Sequence, residues 1–317
     1  MQDEVQDEVQ DELRRIGQLL DAACYPVVRN GGLVVPGGPI IPPSTLGKES
    51  NHARTRKQAS GASPSSPAAR TRAPSWYGTP PRPSRAPVGP GASYPAAPLV
   101  RAELHRKFAG ELEAVAQAYP GTRTWLDDDG MWAVAESSLL PGLSHKALFV
   151  IGIRFASGVV RGWGFWGTDA VGYEWIGPRH TNFPDGSICA FEPTDGTWTV
   201  WSPLVLLLDL YTLWAVRHLH LSTFGRWPGR QSVRYPYERM LELTHDEYCG
   251  CEKSSQLYGQ CCKDSDQART QIEEAIRFTL DMHGGIRRPP ASICDFVRDR
   301  YRVPRPEEVF AWITPTT

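Results

Sequence analysis

The run Ala147-Leu-Phe149-Val-Ile151-Gly-Ile153-Arg-Phe155 places Phe149, Ile151, Ile153 and Phe155 on alternate positions, the period of a strand with one face buried. Ser157-Gly158 follows as a short turn into a second extended stretch, Val159–Trp166, and together they make a hairpin signal. Met131–Glu136 precedes this pair and Val171–Ile176 follows it. The middle of the chain therefore predicts an antiparallel meander.

Upstream of the meander, Leu104, Phe108, Leu112, Val115 and Tyr119 recur at spacings of four, four, three and four, one face of an amphipathic helix that Pro120-Gly121 ends. Downstream, a loop over Pro178–Cys189 leads to Pro203 at a helix start and then to Leu204–Leu221, apolar nearly all round and so expected in the core. Gly225-Arg-Trp227-Pro228-Gly229 closes that helix. The expected fold class is α+β, helices packed against an antiparallel sheet.

The 317 residues divide unevenly. Residues 1–30 are expected as an acidic N-terminus. A Gln-Asp-Glu-Val, Gln-Asp-Glu-Val, Gln-Asp-Glu-Leu repeat puts six acids into residues 1–13, and a short helix carries Leu13, Ile16, Leu19 and Leu20 as its stripe. The repeat itself is too acidic to bury, so it is expected as a solvated tail. Residues 31–98 hold half of the 28 prolines, and eight Lys or Arg against one Glu fall in 47–98. Such a composition cannot offset its ordering entropy by apolar burial and predicts a disordered linker. Ordered domains are then expected over 99–232 and 233–317.

A net charge of −1 excludes a strong global pull toward nucleic acid or anionic lipid. The acidic N-terminus lacks the apolar region of a secretory signal. Asp209, Arg217, His218 and His220 interrupt the apolar run that opens at Leu204, short of the roughly 18 uninterrupted apolar residues that a membrane span needs. These features set the expectation of a cytoplasmic protein with no membrane partner.

Seven cysteines, an odd number, include four within fourteen residues: Cys249, Cys251, Cys261 and Cys262. In a reducing compartment that bunching points to metal rather than disulfides. Four thiolates complete a tetrahedral Zn²⁺ shell with no open position, the arrangement of a structural site that stabilises a loop too small to have a core.

The chemistry-bearing stretch is His180-Thr-Asn182-Phe-Pro-Asp185-Gly186-Ser-Ile-Cys189, followed by Trp198, Trp201 and Pro203. A thiol on a turn with an amide donor close by suits acyl transfer: the thiolate holds the acyl group and the amide steadies the oxyanion. Asn182 has two roles open to it, donor to the oxyanion or cap of its own turn. Asp185 and Asp195 are candidates to orient or deprotonate an incoming amine. The competing expectation for Cys189 is a small buried hydrophobe. A cysteine hydrolase would need a base beside the thiol, and His180 is the only histidine close to it in sequence.

Element order and motif together resemble the ubiquitin-conjugating enzyme family, over roughly residues 100–230. Its members carry His-Pro-Asn, a short turn ending Gly-x-Ile/Leu-Cys, then Trp and Pro before a core helix. Here Thr181 stands at the motif's proline, and the Asn-to-Cys span is one residue shorter than in eukaryotic members. The Trp227-Pro-Gly tail looks like the bacterial branch, whose members resemble parts of antiphage conjugation systems. The resemblance implies that Cys189 takes a ubiquitin-like C-terminus from an activating enzyme as a thioester and passes it to a target amine. By the same resemblance His180 is structural and bonds the loop backbone, and the partners are a ubiquitin-like protein, an activating enzyme and a protein target.

Tyr258-Gly-Gln-Cys261-Cys262, after Cys249-Gly-Cys251, resembles the SEC-C motif, although Glu252-Lys253-Ser254 departs from that motif's Gly-Ser. That likeness implies structural zinc and a partner surface, protein rather than nucleic acid given the local charge balance. Beyond it, Ser265 is expected to cap a helix with Ile272, Ile276 and Leu280, ended by Gly284-Gly285; Ile293, Phe296 and Val297 lie on a second short helix, Cys294 packs in the core, and Phe310 and Trp312 finish the domain. The alternative function is a non-catalytic adaptor that uses the same fold and the zinc module to recruit partners.

Overall fold

A computed structural model describes residues 2–22, 27–29, 32–34, 97–137, 146–168, 172–183, 185–191, 197–251, 255–282 and 287–299. Most of the expected linker, together with Cys24, Asp195, Gly284-Gly285, Phe310 and Trp312, lies outside the described residues. The chain begins with helix α1 (Gln2–Asp21) and a hairpin of β1 (Val27–Arg29) and β2 (Gly32–Val34). After helix α2 (Ala97–Ala118) come five strands, β3 (Arg123–Leu126), β4 (Gly130–Glu136), β5 (Ala147–Arg154), β6 (Val159–Thr168) and β7 (Gly172–Trp175). All neighbours are antiparallel in the order β3-β4-β5-β6-β7. Helices α3 (Leu204–Phe224), α4 (Pro236–Glu242), α5 (Lys263–Gln267), α6 (Gln271–Asp281) and α7 (Ala291–Arg298) complete the α+β fold.

The meander forms as the alternation predicts, with one added strand. β3 carries only Trp125 and Leu126 as apolar content in four residues, too short a run for a periodic signal. Phe149, Ile151 and Ile153 face α2 and α3, joined by Leu104, Phe108, Tyr119, Leu208, Tyr211 and Trp214 in the main core. The opposite face is also buried, which single-faced alternation does not anticipate. Trp132, Val134, Leu148, Val150, Trp163 and Phe165 meet Ile293, Phe296 and Val297 of α7 there, with Cys294 packed against them. A helix more than a hundred residues downstream supplies that second cover.

Two glycines of β6 set the distance between sheet and core helix. A Cβ on Gly162 would lie 2.3 Å from the Tyr211 ring, and one on Gly164 2.6 Å from that of Trp214. Both positions face the helix, so its aromatic side chains lie directly on strand backbone. Helix α3 starts at Pro203 and stops at Gly225, whose φ of 67° makes the left-handed cap that favours glycine. By length and composition alone α3 could cross a membrane, but most of its apolar window is buried inside the fold.

The N-terminus is integrated into this scaffold. Leu13, Ile16 and Leu20 of α1 pack with Val216 of α3, with Val9 joining from within the acidic repeat. The repeat is helical, as the first part of α1, with Asp7, Glu8 and Asp11 exposed and Val9 and Leu13 on the packed side. Asp21 ties the helix end down: Oδ1 accepts the Gly229 N–H at 2.8 Å, Oδ2 accepts Arg226 Nη1 at 2.6 Å, and its carbonyl accepts the Tyr248 hydroxyl at 2.8 Å.

Candidate active site and cysteine cluster

Between β7 and α3 the chain makes a turn whose hydrogen bonds close on themselves. Thr181 and Ile188 form an antiparallel bridge. The Asn182 N–H donates to Ser187 O at 2.6 Å, Gly186 N–H to Asn182 O at 2.9 Å, and Cys189 N–H to His180 O at 2.9 Å. Ile188 N–H reaches Gly162 O at 2.7 Å, which anchors the turn on the β6 edge that β7 leaves uncovered. Gly186 has φ of 62°, and a Cβ there would meet the Arg288 backbone at 2.6 Å, so glycine is required on both counts. Cys189 lies half-buried at the end of this turn.

Of its two expected roles, Asn182 is seen in the second: Nδ2 lies 3.2 Å from both Ser187 Oγ and Ile188 O, so its amide caps the turn. Asp185, expected beside an incoming amine, is buried inside the turn instead. Its Oδ1 accepts the Ser187 N–H at 3.0 Å, Oδ2 accepts Arg161 Nε at 3.2 Å, and its carbonyl accepts Trp163 Nε1 at 2.8 Å. One oxygen of this carboxylate thus serves a turn N–H that a reversing chain leaves unpaired, and the other ties the turn to β6.

His180 makes, through its ring, a different bond from the one that the resemblance implies. Its carbonyl holds the loop, accepting Cys189 N–H and Trp214 Nε1 at 3.0 Å, while its ring bonds the Gln231 side-chain amide oxygen at 2.9 Å and stacks 4.5 Å from Trp227. Burial, and after it the Arg179 guanidinium, pull its pKa from about 6.5 down to about 3. Burial likewise lowers His218 to about 4. Both rings are neutral at neutral pH.

On α3, burial raises the Tyr211 hydroxyl's pKa far above the ordinary tyrosine range, with Arg161, Cys189 and Asp185 all in electrostatic reach of it. Trp198 is buried and donates to Pro203 O at 2.9 Å, whereas Trp201 is 52 % exposed and leaves the core. The turn's outer side is held by later segments: Arg287 stacks on Phe183 at 4.4 Å, and Phe183 meets Phe278 of α6 edge-on at 5.3 Å.

The second constellation is the cysteine cluster. The Sγ atoms of Cys249, Cys251, Cys261 and Cys262 all lie within 4.8 Å of one another, with Cys251 and Cys261 at 3.5 Å and Cys261 and Cys262 at 3.6 Å. A tetrahedron of sulfurs around zinc at about 2.3 Å has edges of about 3.8 Å, so the set fits that metal. None of the described cysteines is in a disulfide. Burial, followed by the neighbouring thiols, pushes Cys262's pKa upward, because a thiolate is costly there unless a cation offsets its charge. Gly250, with φ of 71°, turns the chain between the first two ligands.

No protein-family model, curated protein or solved structure matches this chain. Several residues around the two sites carry no sequence signal. Arg179 and Glu247 form a buried ion pair across 68 positions, and Gln231 bridges them to His180. The Gly-x-Gly of β6 is the one available clue, since glycine inside a strand marks close approach.

Proposed function

We propose that the protein is a thioester-carrying transferase of the ubiquitin-conjugating kind, with Cys189 as its nucleophile. The observation that carries the proposal is a partly buried cysteine at the end of a turn whose Asn182, Asp185 and Ser187 are all committed to holding its shape. A rigid turn presents one sulfur in one direction, which acyl exchange with a large partner requires. The thiolate attacks the carbonyl of a ubiquitin-like C-terminus already held as a thioester by an activating enzyme. The new C–S bond forms as the old one breaks, and the enzyme's thiolate leaves. A target amine then attacks the Cys189 thioester, a C–N bond replaces the C–S bond, and the amine proton passes to water. No ATP is consumed at Cys189, because activation precedes the transfer.

In this proposal Asn182 and Asp185 are positioning residues and His180 is structural. Asp195 remains a candidate for steering the amine. Zinc at the four clustered cysteines is structural. A cytoplasmic location suits reduced thiols, and the resemblance to the bacterial branch extends the proposal to an antiphage conjugation system. Incubation with an activating enzyme, ATP and a ubiquitin-like protein tests it: a thiol-labile adduct should form on wild type, an oxyester on Cys189→Ser, and nothing on Cys189→Ala.

A second reading, a non-catalytic adaptor, draws support from α6. Ile272, Ile276 and Leu280, expected on a helix here, are 71 %, 55 % and 70 % exposed on it. The buried side is the other one, Glu274 and Phe278. Binding of a partner protein that Ile276→Asp abolishes and Cys189→Ala leaves intact would favour the adaptor.

A further inference from the structure

A buried carboxylate joins the thiol turn to the cysteine cluster, and beside it Gln231 donates to Tyr248 O at 2.7 Å and meets the His180 ring at 2.9 Å. Glu247 stands two residues before Cys249, and its side chain is wholly excluded from solvent. Its backbone belongs to the cluster loop: its carbonyl accepts Tyr258 N–H at 2.7 Å, while Cys249 N–H donates to Gln256 O at 2.9 Å in the same loop. Its carboxylate points away from that loop. Oε1 accepts Arg179 Nη1 at 3.0 Å and Trp227 N–H at 2.8 Å, and Oε2 takes the second guanidinium contact. Arg179 is pinned at its own carbonyl, which accepts from His218 Nε2 at 2.7 Å. The next residue is His180, whose carbonyl holds the Cys189 N–H.

We propose that Glu247 is a positioning residue for Cys189, through which metal occupancy of the cluster sets how the thiol is presented. Metal bound by Cys249, Cys251, Cys261 and Cys262 fixes the loop that carries Glu247. Glu247 fixes Arg179, and Arg179 fixes the start of the thiol turn. A buried ion pair tolerates little separation, because neither charge has water to fall back on. Slack in the cluster loop is therefore passed to the turn rather than absorbed at the pair. The proposal rests on the thioester reading for its biological consequence, while its readouts need no ubiquitin-like protein.

The test compares zinc-loaded protein with the same protein after EDTA, by hydrogen–deuterium exchange and by iodoacetamide labelling, both read on the Cys189 peptide by mass spectrometry. Metal removal should speed exchange of the Asn182, Gly186 and Cys189 amides and labelling of Cys189 by roughly tenfold, leaving the β5 amides of Phe149–Ile153 unchanged. Zinc-loaded Glu247→Gln should retain the metal, label at a faster rate from the outset and respond clearly less to EDTA than wild type, the Gln231 bridge being left in place. Glu247→Asp, which keeps the charge, should recover part of the protection. Equal rates with and without zinc would overturn the proposal, as would acceleration that spreads to β5 or a Glu247→Gln variant that responds like wild type. If that variant does not fold, the wild-type comparison decides alone. Failure here leaves thioester formation at Cys189 untouched, and failure of thioester formation leaves this coupling standing.

Discussion

Arg179, one residue ahead of His180, and Glu247, two residues ahead of Cys249, form an ion pair with 4 % and 0 % side-chain exposure. Its surroundings supply much of what a buried pair needs: Gln231 Oε1 accepts a further guanidinium N–H at 3.0 Å and the Trp227 N–H donates to the carboxylate, while Arg179 Nε has no hydrogen-bond partner among the described residues. Removing one partner leaves the other charged and dry. Glu247→Ala or Arg179→Ala should each cost about 3–5 kcal/mol, whereas replacing both by Met should cost far less than the sum. Urea unfolding of the two single variants and the double variant checks this; additive losses would contradict it.

Contact between β6 and α3 makes Gly162 intolerant of even a methyl group. Gly162→Ala would place Cβ 2.3 Å from the Tyr211 ring, and either the ring or the strand must move. The loss should be about 1–3 kcal/mol, with a shift of the thiol turn, because Ile188 hangs on the Gly162 carbonyl. Gly110, in the middle of α2, is open by contrast: a Cβ there would meet nothing within 4 Å. Gly110→Ala should therefore raise stability by up to about 1 kcal/mol. Thermal melts of the two variants separate close packing from helix propensity.

Acid should destabilise the fold in a defined window. His180 and His218 have folded-state pKa values of about 3 and 4 against about 6.5 when unfolded. Below pH 6.5 the unfolded chain binds protons that the folded rings refuse, so stability falls as pH drops from 6.5 toward 4, by up to about 1.4 kcal/mol per pH unit for each ring. Glu12 acts with the opposite sign: burial raises it from 4.5 to about 7, and it favours the folded state as pH falls through that range. Glu12→Gln should steepen the acid loss. Urea midpoints at pH 7, 6 and 5 measure it, and a variant midpoint that stays flat across them would contradict the assignment.

Zinc should bind at one equivalent per chain. Replacing Cys261 and Cys262 by Ser should abolish it, and Cys189→Ser should leave it unchanged, by metal analysis of purified protein. Apparent affinity should fall with acid, since metal must displace protons from thiols whose neutral form the cluster favours. Retention of zinc by the Cys261, Cys262 double variant would remove the site.

Those parts of the fold that follow from local periodicity were legible in the sequence. Alternation in Phe149–Phe155, the stripe Leu104–Tyr119 and the Pro203 and Gly225 boundaries became β5, α2 and α3. Crowding of four cysteines likewise became a cluster of metal-binding size. Pairings between distant segments were not legible. Nothing local to β5 announces α7 as its second cover, and nothing in Arg179 announces Glu247. α6 shows the limit from the other side: the stripe Ile272, Ile276 and Leu280 gives an apolar face but does not say whether anything packs on it, and Phe278 with Glu274 is what packs. At the thiol turn, residue type and position make Asn182 a candidate, but the choice between capping and oxyanion contact depends on where Ile188 O and Ser187 Oγ lie.

Thioester formation on Cys189 is the most direct measurement of the central claim. Wild-type protein, an activating enzyme, ATP and a ubiquitin-like protein are combined and resolved with and without reducing agent. A covalent band that thiol removes from wild type, that persists on Cys189→Ser and that is absent from Cys189→Ala is the predicted result. A wild-type protein that forms no labile band, under conditions in which the activating enzyme itself is charged, would contradict it.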